Sequence, residues 1–287
     1  MKFNKIVCLD FTNLSKKVLV ELNNYAEEVV IYNSDPKEDE IINRIGDAEC
    51  ILLSWRTTIS KKIIENTNLK YIGMCSTSID KIDPIAKIKG ITVTNVSNYC
   101  DLATAEYVFS QLLELFRGMN KYKLDTQPRE LYDKTLGIIG LGEIGKIIAK
   151  IAKGFGMNII YHNRSKKTNS KYKYVTKDEL IKTSDIITIH TTPYIKILEE
   201  TDFKKIKEGT ILVCTSLGKI IDTKGFENWI KNKKNFAIFD GTADKEIKKI
   251  IKEKPNVLFN DIIAGRSIEV TQRLSDSVIS NIKQFLK

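Results

Sequence analysis

Two short stretches carry residues whose types and spacing could do chemistry. Gly140-Leu141-Gly142-Glu143-Ile144-Gly145 has G-x-G-x-x-G spacing. It follows an apolar run, TLGII at 135–139, and opens a helical pattern at 143–155. In that setting the glycines build a cradle for a diphosphate. The first allows the tight turn, the second lets backbone approach the pyrophosphate, and the third permits close helix–strand packing. The first N–H groups and the dipole of the helix then face the anion. Without the strand–turn–helix context the same spacing would mark only a glycine-rich turn. The second stretch, VCTSLGKIID at 213–222, reads as a buried strand running into a loop, with Thr215 and Ser216 followed by Leu217 and Gly218.

The residues after the next strand bear on which dinucleotide would sit in the cradle. An NAD site places an acid about 20 residues beyond the glycines, at the end of the second strand, to bond the ribose 2′-hydroxyl. Here that strand runs into Asn163, Arg164, Ser165, Lys166 and Lys167, with no carboxylate. An acid would repel a 2′-phosphate, whereas an arginine binds it with charge-assisted hydrogen bonds. The expectation is NADP(H) as preferred cofactor, with NAD(H) still possible. The competing reading is a solvated basic loop.

The bulk numbers exclude several other classes. Five cysteines lie far apart with no C-x-x-C pair, which fits reduced thiols in the cytoplasm and argues against a disulfide framework or a structural metal. The net charge is +10, but the lysine pairs are dispersed along helical patterns without interleaved aromatics, so nucleic acid is not the expected partner. No apolar run reaches the roughly 20 residues needed to cross a bilayer, and MKFNKIVCLDF lacks the features of a signal peptide. A small molecule is the expected partner.

The elements that must position these residues alternate strand and helix. Apolar runs recur at 6–9, 29–32, 50–54, 71–75 and 91–96, then at 136–140, 158–162, 186–190, 211–214, 236–240 and 257–259. This is the βαβ rhythm of a parallel sheet, given twice. Long helical patterns at 101–119 and 267–286 join the two series and close the chain. The fold class is α/β, with a discontinuous first domain over 1–98 and 266–287 and a dinucleotide-binding domain over 99–265.

The chain resembles the D-isomer-specific 2-hydroxyacid dehydrogenases. The likeness rests on LKYIGMCSTSIDKID (69–83), NVSNYCDLATAEYVFSQLLELFR (95–117), KTLGIIGLGEIGKIIAKIAKGFGMNIIYHNR (134–164), SDIITIHTTP (184–193), KEGTILVCTSLGKIID (207–222) and NVLFNDIIAG (256–265). It implies two Rossmann-like or flavodoxin-like αβ domains with parallel sheets flanking a cleft. His190, Thr191, Thr192 and Pro193 would lie along the cofactor loop, and Thr215 and Ser216 near the nicotinamide. Asp240 would bond the carboxamide, or serve only as a strand-end turn residue. His190 could likewise be only a polar strand terminus. Ser76, Thr77 and Ser78 would line the substrate loop of the first domain.

The resemblance breaks where the family keeps its catalytic groups. The arginine that holds the substrate carboxylate and carbonyl maps to Leu217, and the proton-donating histidine maps to Ile262. The glutamate that orients that histidine maps ambiguously, with Glu246 nearest. The chain has only two histidines, His162 and His190, and neither lies in the donor segment. Arg56, Arg266 and Asp261 are the candidate substitutes, each with an ordinary surface role as its alternative. The segment from Arg117 to Lys134 is shorter than the family's dimerisation arm, which implies a homodimer with a reduced interface. The leading reading is an NADP(H)-preferring oxidoreductase with an altered substrate, its pocket made apolar by Leu217 and Ile262. The alternatives are a catalytically inactive nucleotide-binding sensor or scaffold, and an ordinary 2-hydroxyacid dehydrogenase using substituted residues.

Overall fold

Apolar runs of four to six residues become strands because β-branched side chains suit a pleat buried on both faces. In the computed structural model, which describes residues 1–119, 127–252 and 254–287, they form two sheets. The chain divides into one compact unit of Met1–Tyr99 with Ser267–Lys287 and a second of Cys100–Arg266. Each crossing thus falls one residue later than the sequence boundaries above. The dimerisation-arm expectation concerns a segment whose residues 120–126 lie outside the described ones.

The first unit has strands β1 (Phe3–Cys8), β2 (Ala26–Ile31), β3 (Cys50–Leu53), β4 (Tyr71–Met74) and β5 (Thr92–Thr94), in the order β2-β1-β3-β4-β5. Every pairing is parallel. Ile6, Cys8, Cys50, Leu52 and Tyr71 face one core, and Val7, Leu9, Ile51, Leu53 and Ile72 the other. The closing helix, Ile268–Leu286, adds Leu274, Val278, Ile279 and Ile282 to the first of these, which brings the end of the chain back to its start.

The second unit has β6 (Thr135–Ile139), β7 (Asn158–His162), β8 (Lys173–Tyr174), β9 (Ile186–Ile189), β10 (Ile211–Cys214), β11 (Phe236–Phe239) and β12 (Val257–Phe259). Their order is β12-β11-β10-β9-β6-β7-β8, again all parallel. Alternation sends Leu136, Ile138, Ile186, Ile211, Val213, Ile238 and Leu258 towards the helices Asp101–Arg117 and Glu143–Gly154. Ile187, Ile189, Leu212, Cys214, Ala237 and Phe239 face the opposite layer, with Leu180, Phe203, Phe226 and Trp229. The T-K-D-E spacing at 176–179 is a helix start, where Thr176 accepts from the Glu179 N–H. The chain leaves β6 towards β7 and β8, then returns to the other side at β9, so the topological switch lies between β6 and β9.

Candidate functional site

Register places the candidate residues along one edge. The last residues of the strands are mutual partners: Ile139 with His162 and Ile189, Ile189 with Cys214, Cys214 with Phe239, and Phe239 with Phe259. Gly140, Asn163, His190, Thr215 and Asp240 therefore each begin a loop at the carboxyl edge of the sheet. In open parallel sheets ligands bind at this edge, beside the switch point.

The three glycines are required for different reasons. Gly140 has φ +99°, and a Cβ there would stand 2.0 Å from the His190 carbonyl oxygen, so the turn packs directly on the loop after β9. A Cβ on Gly145 would stand 2.3 Å from the Gly140 carbonyl oxygen, which ties the helix to the strand. Gly142 differs. Its φ of −84° is open to any residue, and a Cβ there meets nothing within 4 Å. No neighbour among the described residues asks for glycine at 142; a diphosphate lying against this backbone would. The Leu141 N–H donates to Asn163 Oδ1 at 2.7 Å, and the Leu141 side chain is buried. Glu143 turns to Lys146 in its own helix, at 2.6 Å, and Ile144 packs on the core.

Two hydroxyls beside this cradle are orphaned. Thr191 Oγ1 and Thr215 Oγ1 are buried with no hydrogen-bond partner among the described residues. A buried unpaired hydroxyl costs about 1–3 kcal/mol, so a pair of them at the switch-point loops marks a place for an exogenous polar partner. With the open face of Gly142, this fits a dinucleotide whose diphosphate rests on the glycine loop. Ser216, by contrast, donates to the Ile189 carbonyl at 2.9 Å. Thr192 is exposed and Pro193 partly buried.

His190 is no proton donor at neutral pH. Its Nε2 lies 2.6 Å from Thr188 Oγ1, and burial of the ring pushes its pKa down to about 3. The depressed value means that the unfolded chain binds the proton first as pH falls. The neutral ring's contribution to stability is full above about 6.5 and is lost as pH falls towards about 3. Urea titrations between pH 7 and 4 should show a shallower acid loss of stability in His190→Gln than in the parent. His162, the other histidine, is bound to the Val175 carbonyl at 3.0 Å and stacked on Tyr174.

Asn163 links the basic turn to the cradle. Its side chain holds the Leu141 N–H, and its carbonyl accepts from Tyr174 Oη at 3.3 Å. Arg164, Ser165 and Lys166 follow, all exposed, and neither Arg164 nor Lys166 makes an ion pair among the described residues. Tyr161 Oη, accepting from the Lys167 N–H at 3.1 Å, closes the turn from beneath.

Leu217 and Ile262, the positions to which the resemblance assigns charged groups, carry hydrocarbon. Leu217 is half-buried, and its carbonyl accepts from the Tyr194 N–H at 3.1 Å. Ile262 is 61% exposed, and its carbonyl accepts from the Gly241 N–H at 2.8 Å. Asp240 is buried and already engaged. Oδ1 accepts from the Thr242 N–H and hydroxyl, and Oδ2 from the Ala264 N–H at 2.8 Å, so the carboxylate pins the loop that carries Ile262. Burial pushes its pKa up.

The weak catalytic candidates have other occupations. Glu246 is exposed, bound to Lys219 at 2.9 Å and to the Thr223 hydroxyl, and the Lys219 ammonium holds its carboxyl below the usual range. The Asp261 side chain is 81% exposed and paired with Lys248 at 3.3 Å. Arg266 is exposed at the end of the unit. Glu246→Gln and Asp261→Asn should each leave kcat/KM within about twofold of the parent in steady-state assays, as surface substitutions usually do.

In the first unit the loop after β4 is held internally. The hydroxyl of Ser76 donates to the Ser78 carbonyl, that of Ser78 to Asp80, and the Thr77 carbonyl accepts from Asn95. The loop after β3 is pinned by buried Asp10, which accepts from the Ser54 N–H and hydroxyl and from Thr57. Between them Arg56 stacks on Trp55, with its carbon 4.9 Å from the ring centroid, and lies 3.8 Å from Asp35.

A seven-stranded parallel sheet with a diphosphate cradle at its switch point is a dinucleotide-binding domain of the Rossmann class. Residues 109–261 match the family described as D-isomer specific 2-hydroxyacid dehydrogenase, NAD binding domain. The chain belongs to that family and is an NAD(P)-dependent oxidoreductase of the 2-hydroxyacid dehydrogenase type. A hydroxypyruvate reductase of Blautia hydrogenotrophica is 28% identical over 98% of this chain and 94% of that protein. A glyoxylate reductase of Thermococcus litoralis is 28% identical over 88% and 85%. Among solved structures, an acyclic imino acid reductase in complex with NADPH and D-Arg is 30% identical with a TM-score of 0.85, over 98% of this chain and 97% of that one.

Proposed function

We propose that the protein is an NADPH-dependent reductase of imines, converting the C=N group of a 2-imino acid to the amine. The reading rests on Leu217 and Ile262 standing where the family resemblance assigns a guanidinium and an imidazole, in a chain that keeps the glycine cradle. Reducing a 2-oxoacid needs a group to polarise the carbonyl and an acid to protonate the oxygen, and general acid catalysis alone is worth about 10²–10⁴-fold. An iminium brings its own proton and positive charge. The C=N then needs neither an external acid nor a guanidinium to polarise it, and the carboxylate of the imino acid must be held by a group other than residue 217. The similarity to an imino acid reductase bound to NADPH supports both the substrate class and the cofactor. Arg164 and Lys166, where an NAD site would carry an acid, support a 2′-phosphate.

NADPH oxidation should be measured with a 2-oxoacid in the presence and absence of ammonium, which forms the imine in solution. Turnover is expected only with ammonium. Reduction of glyoxylate or hydroxypyruvate without amine, at an ordinary rate of about 10 s⁻¹, would overturn the reading. The second reading, a nucleotide-binding protein without turnover, is favoured by the engagement of Glu246 and Asp261 in exposed ion pairs. It predicts no oxidation with any imine, aldehyde or 2-oxoacid.

A further inference from the structure

The first unit has a switch point of its own. Its chain runs from β1 outwards to β2, then returns to the far side of β1 at β3. In open parallel sheets of this strand order ligands bind beside that point, at the carboxyl edge. Cys8 is register partner to both Ile31 and Leu52, so the loops after β1, β2 and β3 all start at that edge. They bring Asp10 and Asp35 to the run Ser54–Thr57. Asp10 is buried and accepts from three neutral donors of the loop after β3: the Ser54 N–H at 2.8 Å, the Ser54 hydroxyl at 3.0 Å and the Thr57 hydroxyl at 2.6 Å. Burying a carboxylate is costly unless it is so bonded, and its effect here is to fix the loop that carries Arg56. Two arginines stand at this edge, and they differ. Arg44 donates to the Leu9 carbonyl at 3.2 Å and the Ser34 carbonyl at 2.6 Å, and pairs with Glu40 at 3.0 Å. The Arg56 side chain makes no hydrogen bond among the described residues. It stacks on Trp55, and its Nε stands 3.8 Å from Asp35 Oδ2, beyond hydrogen-bond reach. Only 25% of that side chain is exposed, so its guanidinium is held in place with N–H donors that no described residue takes up.

We infer that the switch point of the first unit is a binding site for a small monocarboxylic acid, anchored by Arg56. The fork of a guanidinium matches a planar carboxylate with two parallel hydrogen bonds. Asp35 is the one acidic neighbour that competes for it. That pair is long, and Asp35 is 54% exposed, so it is worth little and an incoming carboxylate displaces it. The carboxyl groups of Asp35 and Asp10 at the same edge weigh against a doubly charged phosphate, which selects a singly charged acid. The site belongs to the first unit by itself and stands whether or not the protein reduces an imine.

The test compares the whole chain, in the presence of NADP⁺, with its Arg56→Gln and Asp35→Asn variants. Calorimetry reads the affinity of each for D-lactate, for its uncharged amide D-lactamide, and for inorganic phosphate. The parent should bind D-lactate more tightly than the amide or phosphate. Arg56→Gln should weaken D-lactate about 10–10²-fold and leave D-lactamide unchanged. Asp35→Asn, which removes the competing carboxylate, should tighten D-lactate about 2–5-fold. The two variants therefore move the same affinity in opposite directions, which a general disturbance of the loop would not do. An unchanged melting temperature and NADPH affinity in both guard against misfolding. A parent that binds no D-lactate, or binds phosphate as tightly, would overturn the inference. So would an unchanged D-lactate affinity in Arg56→Gln, an equal loss for acid and amide, or a weaker D-lactate affinity in Asp35→Asn.

Discussion

Gly142→Ala should fold and melt almost as the parent does, yet bind NADPH about 10²-fold more weakly. The expectation follows from what surrounds that position. A Cβ on Gly142 meets no atom of the described residues within 4 Å, and its φ of −84° imposes no strain on alanine. Residue 142 is the N-cap of the helix Glu143–Gly154 and makes no side-chain cap, so the cost of alanine there should not exceed about 1 kcal/mol. The methyl group would instead occupy the ground where a diphosphate approaches the backbone. Each hydrogen bond to a charged group is worth about 1.5–3 kcal/mol, and separating one or two of them gives the stated loss. Gly145→Ala is the informative contrast. Its Cβ would stand 2.3 Å from the Gly140 carbonyl oxygen, so stability and binding should fall together. Fluorescence titration with NADPH beside thermal unfolding separates the two behaviours. Undiminished NADPH affinity in a well-folded Gly142→Ala would show that no diphosphate lies there.

Arg164→Glu with Lys166→Glu should raise the Kd for NADPH about 10²-fold and leave that for NADH within about threefold. Asn163 holds the glycine loop through Leu141, so the basic residues start one hydrogen bond away from the cradle. A guanidinium–phosphate pair is charge-assisted and often bidentate. Losing it costs about 1.5–3 kcal/mol, and reversing the charge adds repulsion. NADH lacks the phosphate and should not register the change. Parallel losses for both cofactors in the same titration would mean that the turn supports the fold rather than the 2′-phosphate.

Much of this architecture is legible in residue order. Strand after strand announces itself as a β-branched run, and the register of those runs alone brings Gly140, His190, Thr215 and Asp240 to one edge. What escapes is local or long-range in kind. The edge strand Lys173–Tyr174 is two residues long and carries no apolar alternation, so no pattern marks it. The ion pairs of Glu246 with Lys219 and of Asp261 with Lys248 join residues far apart in sequence, and only the folded chain shows that these carboxylates are engaged at the surface. The same holds for Asp240, whose three donors come from Thr242 and Ala264. The backbone of Tyr194, at φ +63°, has no signal in the sequence beyond a tyrosine after HTTP. A left-handed backbone at a tyrosine is a property of tertiary packing, not of composition.

The proposed function requires a nucleotide cradle that holds a diphosphate and a substrate position without the family's guanidinium and imidazole. The most direct measurement is a crystal structure of the NADPH complex. It should show the diphosphate against Gly142, the 2′-phosphate on Arg164 or Lys166, and hydrocarbon from Leu217 facing the reactive end of the nicotinamide, with no paired guanidinium and imidazole beside C4. A guanidinium and an imidazole both within hydrogen-bond reach of a ligand at C4, or a glycine loop that leaves the diphosphate elsewhere, would contradict it.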